Sequence, residues 1–239
     1  MLMSNQRSMT ATVLLFLVLM TLETSCQDFG FATRQEFRNQ FEAEDFVFDL
    51  KGQQVEPGEG GSVQPVEVNA MPTLYGEGMA MTLFTIEPCG INLPHVHPRA
   101  TEMIYVLSGA GGTTTNQVKS LQTAFLEENG GRTIVNLVGE GEVTFFPEGL
   151  IHYQQNLGCE PVQFLSALNN EDPGVVTITT RLFTLPDEAL ASSFGIELPE
   201  VQLLREGLPS NPADGIAECM ARCGISYSAV NSTMSGNGF

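Results

Sequence analysis

Gly90-Ile91-Asn92-Leu93-Pro94-His95-Val96-His97-Pro98-Arg99-Ala100-Thr101-Glu102 is the stretch on which the fold turns. The run from Ile91 reads as extended chain, and a strand's period of two sends His95 and His97 to one face and Val96 to the other. Pro98 bends the chain. Glu102 then opens the next strand, Glu102-Met103-Ile104-Tyr105-Val106-Leu107, within reach of the same interior. The remaining histidine, His152, follows the turn Pro147-Glu148-Gly149 that launches a further strand. Facing inward, it completes a set of three imidazole nitrogens and one carboxylate. An isolated histidine is usually a satisfied polar group, but the chain has only three histidines and this set takes all of them. A mixed imidazole and carboxylate set with open coordination positions suits a catalytic or redox first-row metal better than structural zinc, which favours four closed ligands. The predicted ligands are His95, His97, Glu102 and His152.

Outward from these motifs the text keeps the same grammar. Short runs rich in β-branched residues, Phe and Leu (Met79 to Ile86, Met103 to Leu107, Thr133 to Leu137, Glu142 to Phe146, Val162 to Leu168, Val175 to Phe183) are punctuated by Gly, Pro and Asn. About ten strands between residues 62 and 185 suit a single all-β jelly-roll barrel, which also hides the strand edges that such a protein must manage. The histidine count excludes a duplicated architecture with two complete sites. Residues 27–61 read as an N-terminal arm and a Gly- and Glu-rich loop. Residues 186–239 read as C-terminal helices and a polar tail, because Asp187-Glu188 after Pro186 is an acidic first helical turn and Gly195 a stop.

The chain has 239 residues, 42% of them hydrophobic and 16% charged, enough to bury a core. Its 10 Lys and Arg against 28 Asp and Glu give a formal charge of −18, a field that repels phosphate backbones and anionic lipid. Nucleic acid and membrane are therefore excluded as partners. Residues 1–26 have the polar start with Arg7, the apolar run Ala11 to Leu22 and the short polar exit of a secretory signal peptide. Cleavage after Cys26 would leave the small residues Thr24 and Cys26 at the minus-three and minus-one positions, the cleaved bond staying open; lipidation of Cys26 is disfavoured because Glu23 stands where a Leu-like residue belongs. Secretion leaves Cys89, Cys159, Cys219 and Cys223, an even set in a compartment that permits disulfides. Asn231-Ser232-Thr233 is an N-glycosylation sequon, with Asn231 the acceptor.

The stretch Gly90 to Gly109 resembles the first motif of the cupins, and specifically of germins and spherulins; Gly141, Pro147, Gly149, His152 and Asn156 resemble the second at every spacing. The resemblance runs from about Gly60 to Phe183. It implies a single barrel holding manganese through the same four residues, another first-row divalent metal staying open, in a secreted homo-oligomer (dimer, trimer or hexamer). It implies a small anionic substrate, oxalate or superoxide, and an oxidoreductase activity. It equally allows a non-enzymatic storage, wall, coat or binding protein whose metal mainly holds the barrel together. Asn92 matches an Asn of the germin substrate pocket, whereas Thr82 stands where those enzymes have a second Asn.

Cys89 occupies a position that is Gly in germins, and the germin disulfide pair is absent. If His95 and His152 lie opposite on neighbouring antiparallel strands, Cys89 and Cys159 miss the same ladder by one residue, so parity opposes a bond between them. Both nevertheless sit at one end of the barrel, and a strand end at Gly158 would reset the alternation. A Cys89–Cys159 disulfide is expected on that balance, narrowly over two separate thiols. Cys219 and Cys223 share a helix face at i and i+4, too far apart to bond while the helix is intact, and their pairing stays open.

Overall fold

The computed structural model describes residues 33–50, 52, 55–112 and 118–225. The expected signal peptide and Asn231 lie outside the described residues. Contacts divide the chain into Met1–Phe41 and Glu42–Phe239. In the first unit a short helix, α1 (Arg34–Arg38), is started by a reciprocal cap: Thr33 Oγ1 accepts from Glu36 N–H at 3.1 Å and Glu36 Oε2 accepts from Thr33 N–H at 3.0 Å.

The second unit is all-β at its centre. A 6-stranded antiparallel sheet runs in the order β1 (Glu56–Gly58), β2 (Gly61–Val66), β3 (Ala80–Ile86), β10 (Val162–Leu168), β5 (Glu102–Ser108), β8 (Val143–Phe146). A 5-stranded antiparallel sheet runs β11 (Val176–Thr177), β4 (Ile91–Val96), β9 (His152–Asn156), β6 (Leu121–Leu126), β7 (Thr133–Val138). Among the described residues, six of the nine neighbouring pairs join strands that are not consecutive in sequence, the jelly-roll signature of a chain that passes between two facing sheets. Strict alternation puts Phe84, Ile104, Val106, Phe146, Val162 and Phe164 into one buried cluster. The Phe84 and Phe164 rings stack with centroids 4.8 Å apart across the β3–β10 ladder. Truncating either ring would cost about 3–5 kcal/mol.

The interior is apolar at one end and mixed at the other, where buried polar side chains stand beside a small cluster of Ala80, Ala100 and Leu168. Along β10 the buried face changes from Val162 and Phe164 to Ser166, and along β5 from Val106 and Ile104 to Glu102. Those polar ends lie side by side, because Leu168 pairs with Glu102 and Ser166 with Ile104.

The last apolar run departs from expectation. Val175 to Phe183 reads as a strand, but only Val176 and Thr177 pair, with Val96 and His95 of β4, and the chain then turns into helix α2 (Ile178–Leu182). The next rung would face Pro94, which has no N–H to give the ladder, so helix is the remaining way to satisfy the backbone. Helix α3 (Asp187–Phe194) keeps Asp187 and Glu188 in its first turn and ends on Gly195 at φ 67°. Helix α4 (Leu198–Glu206) follows, and Arg205 on it bonds Asp187 of α3. No described helix is long and apolar enough to cross a membrane.

Helix α5 (Ala217–Arg222) corrects the expected cysteine pairing. The bonds are Cys89–Cys219, with Cα atoms 5.8 Å apart, and Cys159–Cys223, at 5.2 Å. The turns bearing Cys89 and Cys159 do lie together, since Cys89 N–H donates to Gly158 O at 3.2 Å. Neither cysteine is on a strand, however, so strand parity did not govern either. Cys89 sits in a turn at φ 68°, and β9 has already ended at Asn156 before Cys159. The returning C-terminal segment brings α5 over both turns and supplies each with its own partner. Cys219 lies within the helix and Cys223 at its C-cap, so one short helix serves two bonds.

Candidate metal centre

Four elements deliver the four expected ligands. On β4 and β9, His95 stands directly opposite His152. Just past the end of β4, His97 is placed by Pro98, and Glu102 is the first residue of β5. The ladder between β4 and β9 is interrupted between Asn92 and His95, so the strand carrying two of the imidazoles is bulged immediately before them. His95, Glu102 and His152 are buried and His97 is half-buried. Their ligand atoms all lie within 4.8 Å of one another, slightly more than the roughly 4.2 Å spanned by two bonds of about 2.1 Å, so small side-chain shifts would close all four on one first-row cation.

Each imidazole is oriented the same way. His95 Nδ1 is 2.7 Å from Leu93 O, His97 Nδ1 is 2.6 Å from Gly174 O, and His152 Nδ1 is 2.8 Å from Leu150 O. A carbonyl oxygen only accepts, so each Nδ1 carries a hydrogen and Nε2 is the nitrogen that each ring turns into the cluster. Those Nε2 atoms face Glu102: His152 Nε2 is 2.8 Å and His97 Nε2 3.5 Å from Oε2. The Phe146 ring stacks on His152 at 4.5 Å and 9°, fixing that imidazole's plane.

The electrostatics keep His95 and Glu102 in ligand form and pull His97 the other way. Burial, and then the neighbouring His152, push the His95 pKa down to about 3, so its imidazole is neutral. Burial works against ionisation of Glu102, but hydrogen bonds from His152 and His97 outweigh it and hold the carboxyl well below the usual carboxylate range. His97 runs the other way. Burial opposes its charging, yet its hydrogen bond to Glu102 raises its pKa above the ordinary value. An ionised carboxylate facing imidazoles through hydrogen-fixed rings is a donor set that fits a divalent first-row cation.

Residues without a motif complete the surroundings. Ser166 donates to Glu102 Oε1 at 2.6 Å. Gln154, two residues along the inward face of β9 from His152, is fully buried, and its Nε2 has no hydrogen-bond partner. Strand period alone points to both, Gln154 following His152 on β9 and Ser166 following Val162 and Phe164 on β10. Asn92 is buried, but its amide is engaged at both ends: Nδ2 donates to Gln154 Oε1 at 2.7 Å, and Oδ1 accepts from Asn211 Nδ2 at 2.8 Å. Thr82 lies on the other sheet, buried and paired with Ser166 across the β3–β10 ladder.

The chain matches the Cupin family model over residues 50–202. It is 41% identical over 187 residues to Spherulin-1B of Physarum polycephalum, covering 77% of this chain and 71% of that one. Germin-like protein 4-1 of Oryza sativa subsp. japonica is 38% identical over 154 residues, 62% of this chain and 57% of the relative. Among solved structures, a recombinant oxalate oxidase in complex with glycolate superposes with a TM-score of 0.62 at 26% identity, covering 70% of this chain and 83% of that one. The jelly roll, its cluster of three histidines and one glutamate, and these likenesses agree: the chain belongs to the cupin family, with spherulins and germin-like proteins as its relatives.

Proposed function

We propose that this cupin is a secreted manganese-dependent oxidoreductase acting on a small anion, and that superoxide suits its site better than oxalate. The observation that carries the reading is the common anchoring of the three histidines: each holds a backbone carbonyl through Nδ1, leaving Nε2 as the nitrogen offered to the cluster that contains Glu102. His95, His97, Glu102 and His152 would hold the ion. Manganese is favoured over structural zinc by a donor set of nitrogen and oxygen without thiolate and by the likeness to an oxalate oxidase. When bound, the metal supplies a redox couple and open positions for an anionic ligand. The chain's own residues supply the rest: Glu102 offsets the cation's charge, Ser166 fixes the carboxylate, and Phe146 shields one face of His152.

The choice between anions rests on donors around the site. A dicarboxylate needs partners for its second carboxylate, and Asn92 is already bonded at both ends of its amide. Thr82 offers a hydroxyl where a germin pocket offers an amide. Superoxide, with two atoms, requires neither. The oxalate reading keeps one observation in its favour, the unpartnered Nε2 of Gln154.

Secretion is supported by the composition of residues 1–26 and by two disulfides, which persist in oxidising compartments; glycosylation at Asn231 belongs to the same reading. A homo-oligomer is supported by the outer faces of β5 and β8, where Met103, Tyr105, Leu107, Val143 and Phe145 are exposed together.

Purified protein assayed for metal content should remove superoxide in proportion to bound manganese and release little peroxide from oxalate, and His95→Ala should abolish both metal and activity. Peroxide release from oxalate exceeding superoxide removal reverses the choice of anion. Full manganese occupancy with neither activity replaces the enzyme by the binding or structural protein that the germin and spherulin resemblance also allows.

A further inference from the structure

We propose that the four cysteines form a thiol–disulfide exchange site, in which a low-molecular-weight monothiol enters at Cys159 and the released thiol emerges at Cys219. The sulfurs are graded by access. Cys159 is exposed, Cys223 half-buried, and Cys219 and Cys89 buried. An incoming thiolate therefore meets the Cys159–Cys223 bond at Cys159 Sγ. That attack forms a mixed disulfide on Cys159, breaks the Cys159–Cys223 bond and leaves the electron pair on Cys223 Sγ as a thiolate.

The second step is set by proximity. Cys223 Sγ lies 3.8 Å from Cys89 Sγ, in contact across the two bonds. From there the Cys223 thiolate attacks Cys89, a Cys89–Cys223 bond forms, the Cys89–Cys219 bond breaks, and the electron pair passes to Cys219 Sγ. One external thiolate is consumed, one protein thiolate is made, and two disulfides exist before and after, so no further oxidant or reductant enters.

Direction comes from what surrounds each sulfur. Arg222 Nη2 is 3.2 Å from Cys219 Sγ and is itself anchored on Leu157 O at 2.7 Å. A guanidinium there stabilises the leaving thiolate. Cys223 Sγ instead faces the carbonyl oxygen of Gly158 at 3.7 Å, which disfavours negative charge on it. A thiolate beside a fixed cation both leaves faster and is the better resting place for the charge. The C-terminal segment stays tied to the barrel throughout, by Cys89–Cys223 in place of Cys89–Cys219. Nothing in this scheme depends on a metal at the histidine cluster.

The test is to expose the full chain to limiting reduced glutathione near pH 8, quench with acid, alkylate with iodoacetamide and map the peptides by mass spectrometry. The expected products are glutathione on Cys159, a Cys89–Cys223 link and alkylated Cys219, with alkylated Cys219 exceeding alkylated Cys223 about tenfold. Alkylated Cys223 with the Cys89–Cys219 link intact overturns the proposal, as does glutathione on any cysteine other than Cys159 or on none. Cys159→Ser reads the second step without added thiol: its free thiol should be found on Cys219, and a free thiol on Cys223 overturns the relay. Arg222→Gln should return the free thiol toward Cys223 by about tenfold, a shift in thiol position that a purely structural role for Arg222 would not cause.

Discussion

Ser166 and Glu102 form a hydrogen bond of 2.6 Å that gives the two carboxylate oxygens separate tasks: Oε1 is held by the hydroxyl while Oε2 faces His152 and His97. A carboxylate left free to rotate would present either oxygen to a cation and lose orientation. Ser166→Ala should therefore lower manganese affinity about 10- to 100-fold, the usual penalty for removing a partner that orients a ligand. Titration with manganese on the metal-stripped protein reads this directly. An unchanged dissociation constant would mean that packing alone orients Glu102.

The cation itself should stabilise the fold. The four donors come from β4, the turn after it, β5 and β9, and β4 and β5 belong to different sheets. An ion held at a hundred times its dissociation constant adds about 2.7 kcal/mol. Stripping the protein with a chelator should lower its melting temperature, and manganese should restore it; in Glu102→Gln, which keeps the shape but loses the charge, the added metal should have little effect. A melting temperature indifferent to chelation in the wild-type chain would sink the assignment of these four residues as ligands.

What the sequence disclosed follows a physical divide. His95, His97, Glu102 and His152 were legible because strand alternation converts spacing into direction, and direction alone brings such side chains to one interior. Ser166 reaches Glu102 from the neighbouring strand of the same sheet and Asn211 comes from the far end of the chain, and no local period encodes either pairing. The cysteines mark the same boundary. Parity reasoning needs both residues on strands, whereas Cys89 stands in a left-handed turn and its partner arrives 130 residues later on a helix. Likewise Val175 to Phe183 has strand composition throughout, but its pairing partner runs out at Pro94, a fact about another strand.

Asn211 links the C-terminal segment to the ligand-bearing strand. Its Oδ1 accepts from Leu93 N–H at 2.7 Å while its Nδ2 donates to Asn92, and Leu93 O in turn holds His95 Nδ1. Asn211→Ala leaves the Leu93 N–H and the Asn92 oxygen without their partners, at a cost of about 1–3 kcal/mol for each buried group. Thermal melting should drop by several degrees, and manganese affinity should weaken with it because His95 loses part of its support. A melting temperature unchanged from wild type would show that Asn211 merely lies against the strand.

Gly215 is where this segment crosses the Cys89 turn. A Cβ added there would lie 1.9 Å from Cys89 O and 2.9 Å from Cys89 Cβ, so Gly215→Ala must push the segment away from the disulfide it precedes. Overpacking of this kind costs about 1–3 kcal/mol. The variant should melt lower than wild type and react faster with glutathione, because the displaced helix uncovers its sulfurs. Equal melting and equal reactivity would mean that the segment yields freely.

Acid should unfold the metal-free protein earlier than its carboxylates alone would dictate. His95 has an ordinary pKa of 6.5 in the unfolded chain and one of about 3 when folded. Below 6.5 the unfolded chain therefore binds a proton that the folded chain refuses, so stability falls as the pH drops from about 6.5 toward 3. Glu102 acts in the same direction lower down: its folded pKa lies below the ordinary 4.5, so its contribution is present above that value and is lost as the pH falls. His97 opposes them, because its raised pKa contributes stability below 6.5 that disappears as the pH rises through its folded value. Two buried groups against one half-buried group leave acid destabilisation as the net result. Urea melts of chelator-treated protein at about pH 7, 5.5 and 4.5 should show a falling midpoint, and His95→Gln, which cannot take the proton, should flatten that slope. A wild-type midpoint constant across that range would mean that the buried imidazole titrates alike in both states.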